Sequence, residues 1–125
     1  MTFEWRQYFT LACSLELDAR TAPDLSEAKF RTAISRAYYS ALIKARNRLH
    51  EEGERVPKDY EVHRFVENKF SHSTDPSRQQ IGENLRRLRT SRGKADYDNY
   101  IDSLAYVASL SVRFCGRALR ELDSL

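Results

Sequence analysis

The stretch FRTAISRAYYSALIKARNRL, Phe30–Leu49, decides the fold. Phe30, Ile34, Ala37, Tyr38, Ala41, Leu42, Ala45 and Leu49 recur at the 3.6-residue period of one helical face. The pattern runs on to about Glu52 and stops at Gly53. A second row, Arg36, Tyr39, Ser40, Ile43 and Asn47, lies on the opposite side. An exposed helix face would be purely polar, and this one mixes an aromatic, an aliphatic and hydrogen-bonding groups. Such a row calls for a partner, which is another helix of the chain, a second copy, or a ligand.

Reading outward from this helix, Asp24 with Glu27 three residues later resembles a capping box that opens it. Before the Thr21-Ala22-Pro23 break, Trp5, Phe9, Ala12 and Leu15 predict a helix over about Phe3 to Ala19. After Pro57, Val62, Phe65, Val66 and Phe70 predict a shorter helix from Asp59 to Phe70. Asp75-Pro76 supplies an N-cap and a first-turn proline for a fourth helix, with Ile81, Leu85 and Leu88 inside, to about Ser91. Arg92-Gly93-Lys94-Ala95 then reads as a break. A last helix runs from Asp96 or Asp98 to Asp123, with Ile101, Leu104, Ala105, Ala108, Cys115, Leu119 and Leu122 facing inward. The expected fold is all-α: one domain, residues 1–125, an up-and-down bundle of four to five helices.

Composition agrees. Only four Gly and three Pro interrupt 125 residues, which favours long helices over many short strands. Cys13 and Cys115 each sit in an apolar helical pattern and read as buried free thiols. No apolar run is long enough for a membrane span. Met1–Leu11 carries Glu4 and Arg6 and lacks an apolar signal core, so a cytoplasmic location is expected. There is no Gly-rich phosphate loop, no His/Cys array at zinc spacing and no local Ser/His/Asp or Cys/His signature. No metal or cofactor is therefore expected.

The net charge of +3 is mild, but its distribution is uneven. Lys29, Arg31, Arg36, Lys44, Arg46 and Arg48 occupy Lys29–Arg48 with no acid among them. Arg78, Arg86, Arg87, Arg89, Arg92 and Lys94 occupy Arg78–Lys94 against Glu83 alone. Side by side, the two segments would form a surface suited to phosphates; apart, they are two solvated helix faces.

Three stretches resemble the HEPN domains. Ser35-Arg36-Ala37-Tyr38-Tyr39-Ser40-Ala41, continuing through Lys44-Ala45-Arg46 to Leu49, is similar to the family's SRAYYAA helix. His63-Arg64-Phe65-Val66, followed by Phe70, resembles its H-x-x-V segment. Leu85-x-x-Leu88-x-x-x-Arg92-x-x-Ala95-Asp96-Tyr97-Asp98 resembles its L-x-x-L-x-x-x-R-x-x-A-D-Y stretch. The resemblance covers about residues 26 to 115. It implies a helical bundle that pairs as a homodimer. It also implies an RNA-directed protein, in many members a metal-independent ribonuclease toxin of toxin–antitoxin or phage-defence systems, partnered by a nucleotidyltransferase or other antitoxin. The alternative within the family is a non-catalytic module that binds a nucleotide or RNA, or docks such a partner.

The family's catalytic signature is Arg, four to six intervening residues, then His. The Arg stabilises phosphorane charge as a ribose 2′-hydroxyl attacks the adjacent phosphate, and the His moves protons. Here the residues four to seven places after Arg92 are Asp96, Tyr97, Asp98 and Asn99, so the His is missing. Arg92, Asp96, Tyr97 and His63 are the candidate catalytic groups, with His63 as the substitute proton carrier. Arg36, Tyr39, Asn47, Arg86 and Arg89 are the candidate nucleotide- or RNA-binding groups. Each has a structural alternative. Arg92 could pair with Asp96, and Asp96 could cap the last helix. Arg36 could pair with Asp96 or another acid. Tyr39 and Tyr97 could simply pack.

Overall fold

The computed structural model describes residues 2–125 as five helices, with no strand among the described residues. They are α1 (Arg6–Thr21), α2 (Ser26–Glu51), α3 (Val62–Ser71), α4 (Pro76–Tyr97) and α5 (Leu104–Asp123). The all-α expectation holds. α2 touches each of the other four helices. All eight residues of its expected core stripe are buried. Ala33, Ala37, Ala41 and Ala45 recur every fourth residue with no exposed surface, so neighbouring backbones can approach α2 closely.

Contacts at the two ends fix the helix directions. Ser26 Oγ donates to Ala19 O (2.9 Å) and Ser40 Oγ to Trp5 O (2.9 Å), so α1 runs antiparallel to α2. Arg31 reaches the end of α4, and Arg78 pairs with Glu52, so α4 is also antiparallel to α2. Arg6 meets Asp123 at 2.7 Å, which sets α5 antiparallel to α1. Glu67 faces Arg89 and Ser71 faces Gly82, so α3 runs opposite to α4 and hence with α2. The 52–61 connection, anchored by buried Val56, therefore carries the chain back along the bundle, and α3 departs from strict up-and-down order.

Several boundaries differ from expectation. α2 starts not with an Asp24 cap but with Leu25 in a left-handed conformation (φ 55°) and no side-chain cap. Ser26 ties that end to α1 instead. At the other end Gly53 (φ 86°) closes α2 as expected. Gly53 N–H bonds His50 O and Glu54 N–H bonds Leu49 O, both at 3.0 Å, the paired pattern that a glycine in this conformation permits.

The largest correction concerns α4. It runs through Gly93 to Tyr97 rather than ending near Ser91, and α5 starts at Leu104 rather than at Asp96 or Asp98. The physical cause is Arg31 of α2. Its guanidinium donates to Ala95 O (3.0 Å), a carbonyl that the helix end leaves without a partner, and to Asp98 O (2.7 Å) and Asn99 O (3.2 Å) just beyond it. It also places a cation at a C-terminus that carries Asp96 and Asp98, charges the helix dipole disfavours there. Asp96 is thus inside α4, and Ser103 (φ 55°) occupies the residue before α5.

Gly82 marks the closest approach of α3 to α4. A Cβ there would lie 2.5 Å from Ser71 N and 2.7 Å from its Cα, so the α3 terminus would have to move. Gly82→Ala is expected to cost about 1–3 kcal/mol in urea unfolding, as overpacked sites do. Arg31→Ala is expected to cost about 1–2 kcal/mol, the loss of hydrogen bonds to a charged donor at a half-exposed site. It should also speed amide exchange at Lys94–Asp98 while leaving α1 unchanged. Unchanged exchange in that turn would refute the cap.

Candidate functional site

The helix directions bring the middle of α2, the start of α3 and the last turns of α4 to one place. Tyr38 and Tyr39 stand at its centre. Their rings meet edge to face, with centroids 5.1 Å apart. The Arg92 guanidinium lies over both, 5.4 Å from the Tyr38 centroid and 5.8 Å from that of Tyr39. Arg36 lies 5.5 Å from the Tyr39 ring and 4.7 Å from the ring of Tyr8 on α1. Tyr39 therefore contacts two guanidinium groups, an arrangement favoured by the negative face of an aromatic ring.

Both arginines are short of anionic partners. The Arg92 side chain is only 17% exposed, yet its carboxylate contact, Nη1 to Asp96 Oδ2, is 3.7 Å, longer than a hydrogen bond. Its buried Nε has no hydrogen-bond partner. Arg36 forms no ion pair among the described residues; its Nη2 donates weakly to Ser35 Oγ at 3.4 Å. The suggested Arg36–Asp96 bridge is therefore not formed, although both residues border an open cleft of about 570 Å³ between α2 and α4. Five other arginines contrast with these two. Arg89 is held by Glu67 (2.7 and 3.3 Å), Arg86 and Arg87 by Glu83, and Arg48 and Arg78 by Glu52. Much of the charge counted in the two basic segments is neutralised, and Arg36 and Arg92 are set apart by their place against the tyrosine rings.

His63 reaches this centre from the first turn of α3. Its Nδ1 lies 2.6 Å from Tyr38 Oη, and the two rings stack with centroids 5.7 Å apart. The Tyr39 ring meets it edge-on at 6.1 Å. Burial, then the charges of Arg92 and Arg89, hold the His63 pKa below its ordinary value of 6.5, so the ring is neutral at pH 7. Burial pushes the Tyr38 phenol well above its usual range, so it keeps its proton. A phenol is a stronger acid than a neutral imidazole N–H. We therefore assign Tyr38 Oη as the donor and Nδ1 as the acceptor, which leaves the hydrogen on Nε2. In this state His63 can donate to a phosphate oxygen, and it can act as a base at Nε2 only after changing tautomer.

The remaining candidates are scattered. Tyr97 projects from the end of α4, 78% exposed. Asn47 lies eleven residues beyond Arg36, about 16 Å along the helix axis. There its Oδ1 accepts from Arg46 Nε (3.2 Å) and Nη2 (3.0 Å), and it borders a different cleft, beneath the N-terminal segment. Arg86 is exposed on α4 beside Glu83. The second row of α2 is covered in part by the chain's own start. Ser40 bonds Trp5, Lys44 Nζ meets Glu4 Oε1 at 3.3 Å, and Arg36 rests on Tyr8. Tyr38, read from the sequence as core alone, and Tyr8 are the site-forming residues the sequence did not flag. Among the described residues, no three His, Cys, Asp or Glu side chains gather as a metal site, and no helix is long and apolar enough to cross a membrane. Comparison with protein-family models, with curated proteins and with solved structures finds no match to this chain.

The site's electrostatics can be tested without any ligand. In NMR titration His63 is expected to titrate below 6.5, and Arg92→Gln is expected to raise its pKa by removing a nearby positive charge. The folded-state pKa is depressed, so the unfolded chain binds the extra proton. Stability should therefore fall as pH drops through 6.5 and level off below the folded-state pKa, and His63→Asn should flatten that part of the profile. A His63 titration indifferent to Arg92→Gln would contradict the geometry.

Proposed function

We propose that the chain is an RNA-directed module of HEPN type that engages a phosphodiester through Arg36 and Arg92. The observation that carries this reading is the pair of half-buried guanidinium groups flanking Tyr39 with no carboxylate in hydrogen-bond range. Burying cations without partners is unfavourable, and an anionic ligand would supply what they lack. The Nε2–H of His63 would add a neutral donor, and Tyr39 would offer a ring edge to a sugar or base. Sequence similarity to the HEPN motifs adds the expectation of RNA rather than another polyanion. A homodimer, and docking of a nucleotidyltransferase or other antitoxin, belong to the same reading.

A second reading, metal-independent cleavage, is favoured by one specific contact. His63 and Arg92 share Tyr38, although they are 29 positions apart in the chain. His63 would thus supply the proton carrier that the Arg-x4-6-His spacing lacks. In cleavage His63, after exchange of tautomer, would take the 2′-hydroxyl proton as that oxygen attacks phosphorus, and Arg92 would stabilise the pentacoordinate phosphorane. The P–O5′ bond would then break, with the 5′ oxygen taking the proton back from His63 and a 2′,3′-cyclic phosphate left behind. Binding needs no such exchange.

Two measurements separate them. In equilibrium binding to a fluorescent single-stranded RNA, Arg92→Ala and Arg36→Ala are each expected to weaken affinity about tenfold and to flatten its dependence on salt. Wild-type affinity in both variants would remove the proposal. In parallel, total RNA is incubated with protein in excess chelator. Discrete fragments made by the wild type but by neither Arg92→Ala nor His63→Asn would establish cleavage. Intact RNA alongside Arg-dependent binding would establish a binding module.

A further inference from the structure

Beside the tyrosine cluster, α3 and α4 leave a second cleft of about 590 Å³. His63 stands on the boundary: it lines this cleft and is tied through Nδ1 to Tyr38. The floor carries the Arg89–Glu67 pair, so it is close to neutral. Arg64 is on the wall, exposed and paired with no carboxylate among the described residues. Tyr60, in the turn before α3, lines the same cleft with 82% of its surface exposed, more than any other large hydrophobic residue described. Its ring meets no other aromatic ring or cation among the described residues.

We propose that this cleft is a second subsite for single-stranded RNA, in which Tyr60 stacks on the base one nucleotide beyond the two that flank the phosphate held at Arg36 and Arg92. The inference rests on the RNA-directed reading above and extends it. Contiguity through His63 means that a strand leaving the arginine pair toward α3 runs directly into the cleft. A free aromatic ring at its wall offers a stacking surface that accepts any base. The base must present an open face, which a duplex interior does not, so the ligand is single-stranded. Arg64 is placed to meet the following phosphate, and the Asn68 amide, on the same wall, provides a donor and an acceptor for a base edge.

The test uses the full chain and two probes, the dinucleotide UpU and a longer 2′-O-methyl oligouridylate that resists 2′-hydroxyl attack. Binding is read by fluorescence anisotropy for the oligonucleotide and by its competition with UpU. Tyr60→Ala should weaken the oligonucleotide at least about fivefold, the usual loss of one stacked base. It should leave UpU nearly unchanged, and Tyr60→Trp should restore binding. Tyr60 is exposed, so circular dichroism should show Tyr60→Ala folded. If Arg92→Ala weakens the oligonucleotide but Tyr60→Ala does not, the subsite is refuted and the arginine site stands. If neither Arg92→Ala nor Arg36→Ala alters binding, or the wild type binds neither probe, both proposals fall. Equal sensitivity of UpU and oligonucleotide to Tyr60→Ala would also overturn the subsite, since the dinucleotide should not need it.

Discussion

The close approach of α2 to its neighbours is the constraint on which the remaining structure depends. Ala33, Ala37, Ala41 and Ala45 give that helix a face with no side chain larger than a methyl group. Four helices can then surround it. Larger residues on the same helix, Ile34, Tyr38, Leu42 and Leu49, fill the gaps between them. A central helix of this kind fixes more than a core. Every functional candidate that comes together does so relative to α2. Arg36, Tyr38 and Tyr39 are on it, His63 arrives with α3, and Arg92 arrives with α4.

Tyr38 joins core to site. It belongs to the core stripe and is almost fully buried, yet its hydroxyl bonds a partly exposed histidine and its ring underlies Arg92. Packing that stabilises the bundle therefore also sets the positions of the two groups most suited to a phosphate. The same residue governs the chemistry of His63, because a protonated phenol against Nδ1 determines which ring nitrogen carries hydrogen.

The helical class and the register of α2 were readable because periodicity is local: every residue of its apolar stripe is buried. The end of α4 was not readable. Gly93 looks like a stop, and the group that overrides it, Arg31, lies on a different helix. The start of α2 misled for a similar reason, since a tight turn puts Leu25 in a left-handed conformation and leaves Asp24 outside the cap. In the site, Arg36, Tyr39 and Arg92 were visible as residue types in a motif. The approach of His63 to Tyr38 depends on how α3 folds back and has no local signal. Asn47 shares a helix face with Arg36 but lies three turns away, so a shared face did not mean a shared site.

The clasp that Arg31 places on α4 also bears on when the site comes into being during synthesis. The three carbonyls it holds lie 64, 67 and 68 residues downstream. The last two turns of α4, with a glycine inside them and two aspartates at their end, have little local reason to stay wound. They are secured only after α2 has docked and the chain has been made past Asn99. Arg92, in the penultimate turn, reaches Tyr38 and Tyr39 by the same event. A nascent chain or a proteolytic fragment that lacks either helix carries only part of the motif and none of the arrangement, so the paired-arginine centre is a product of completed folding.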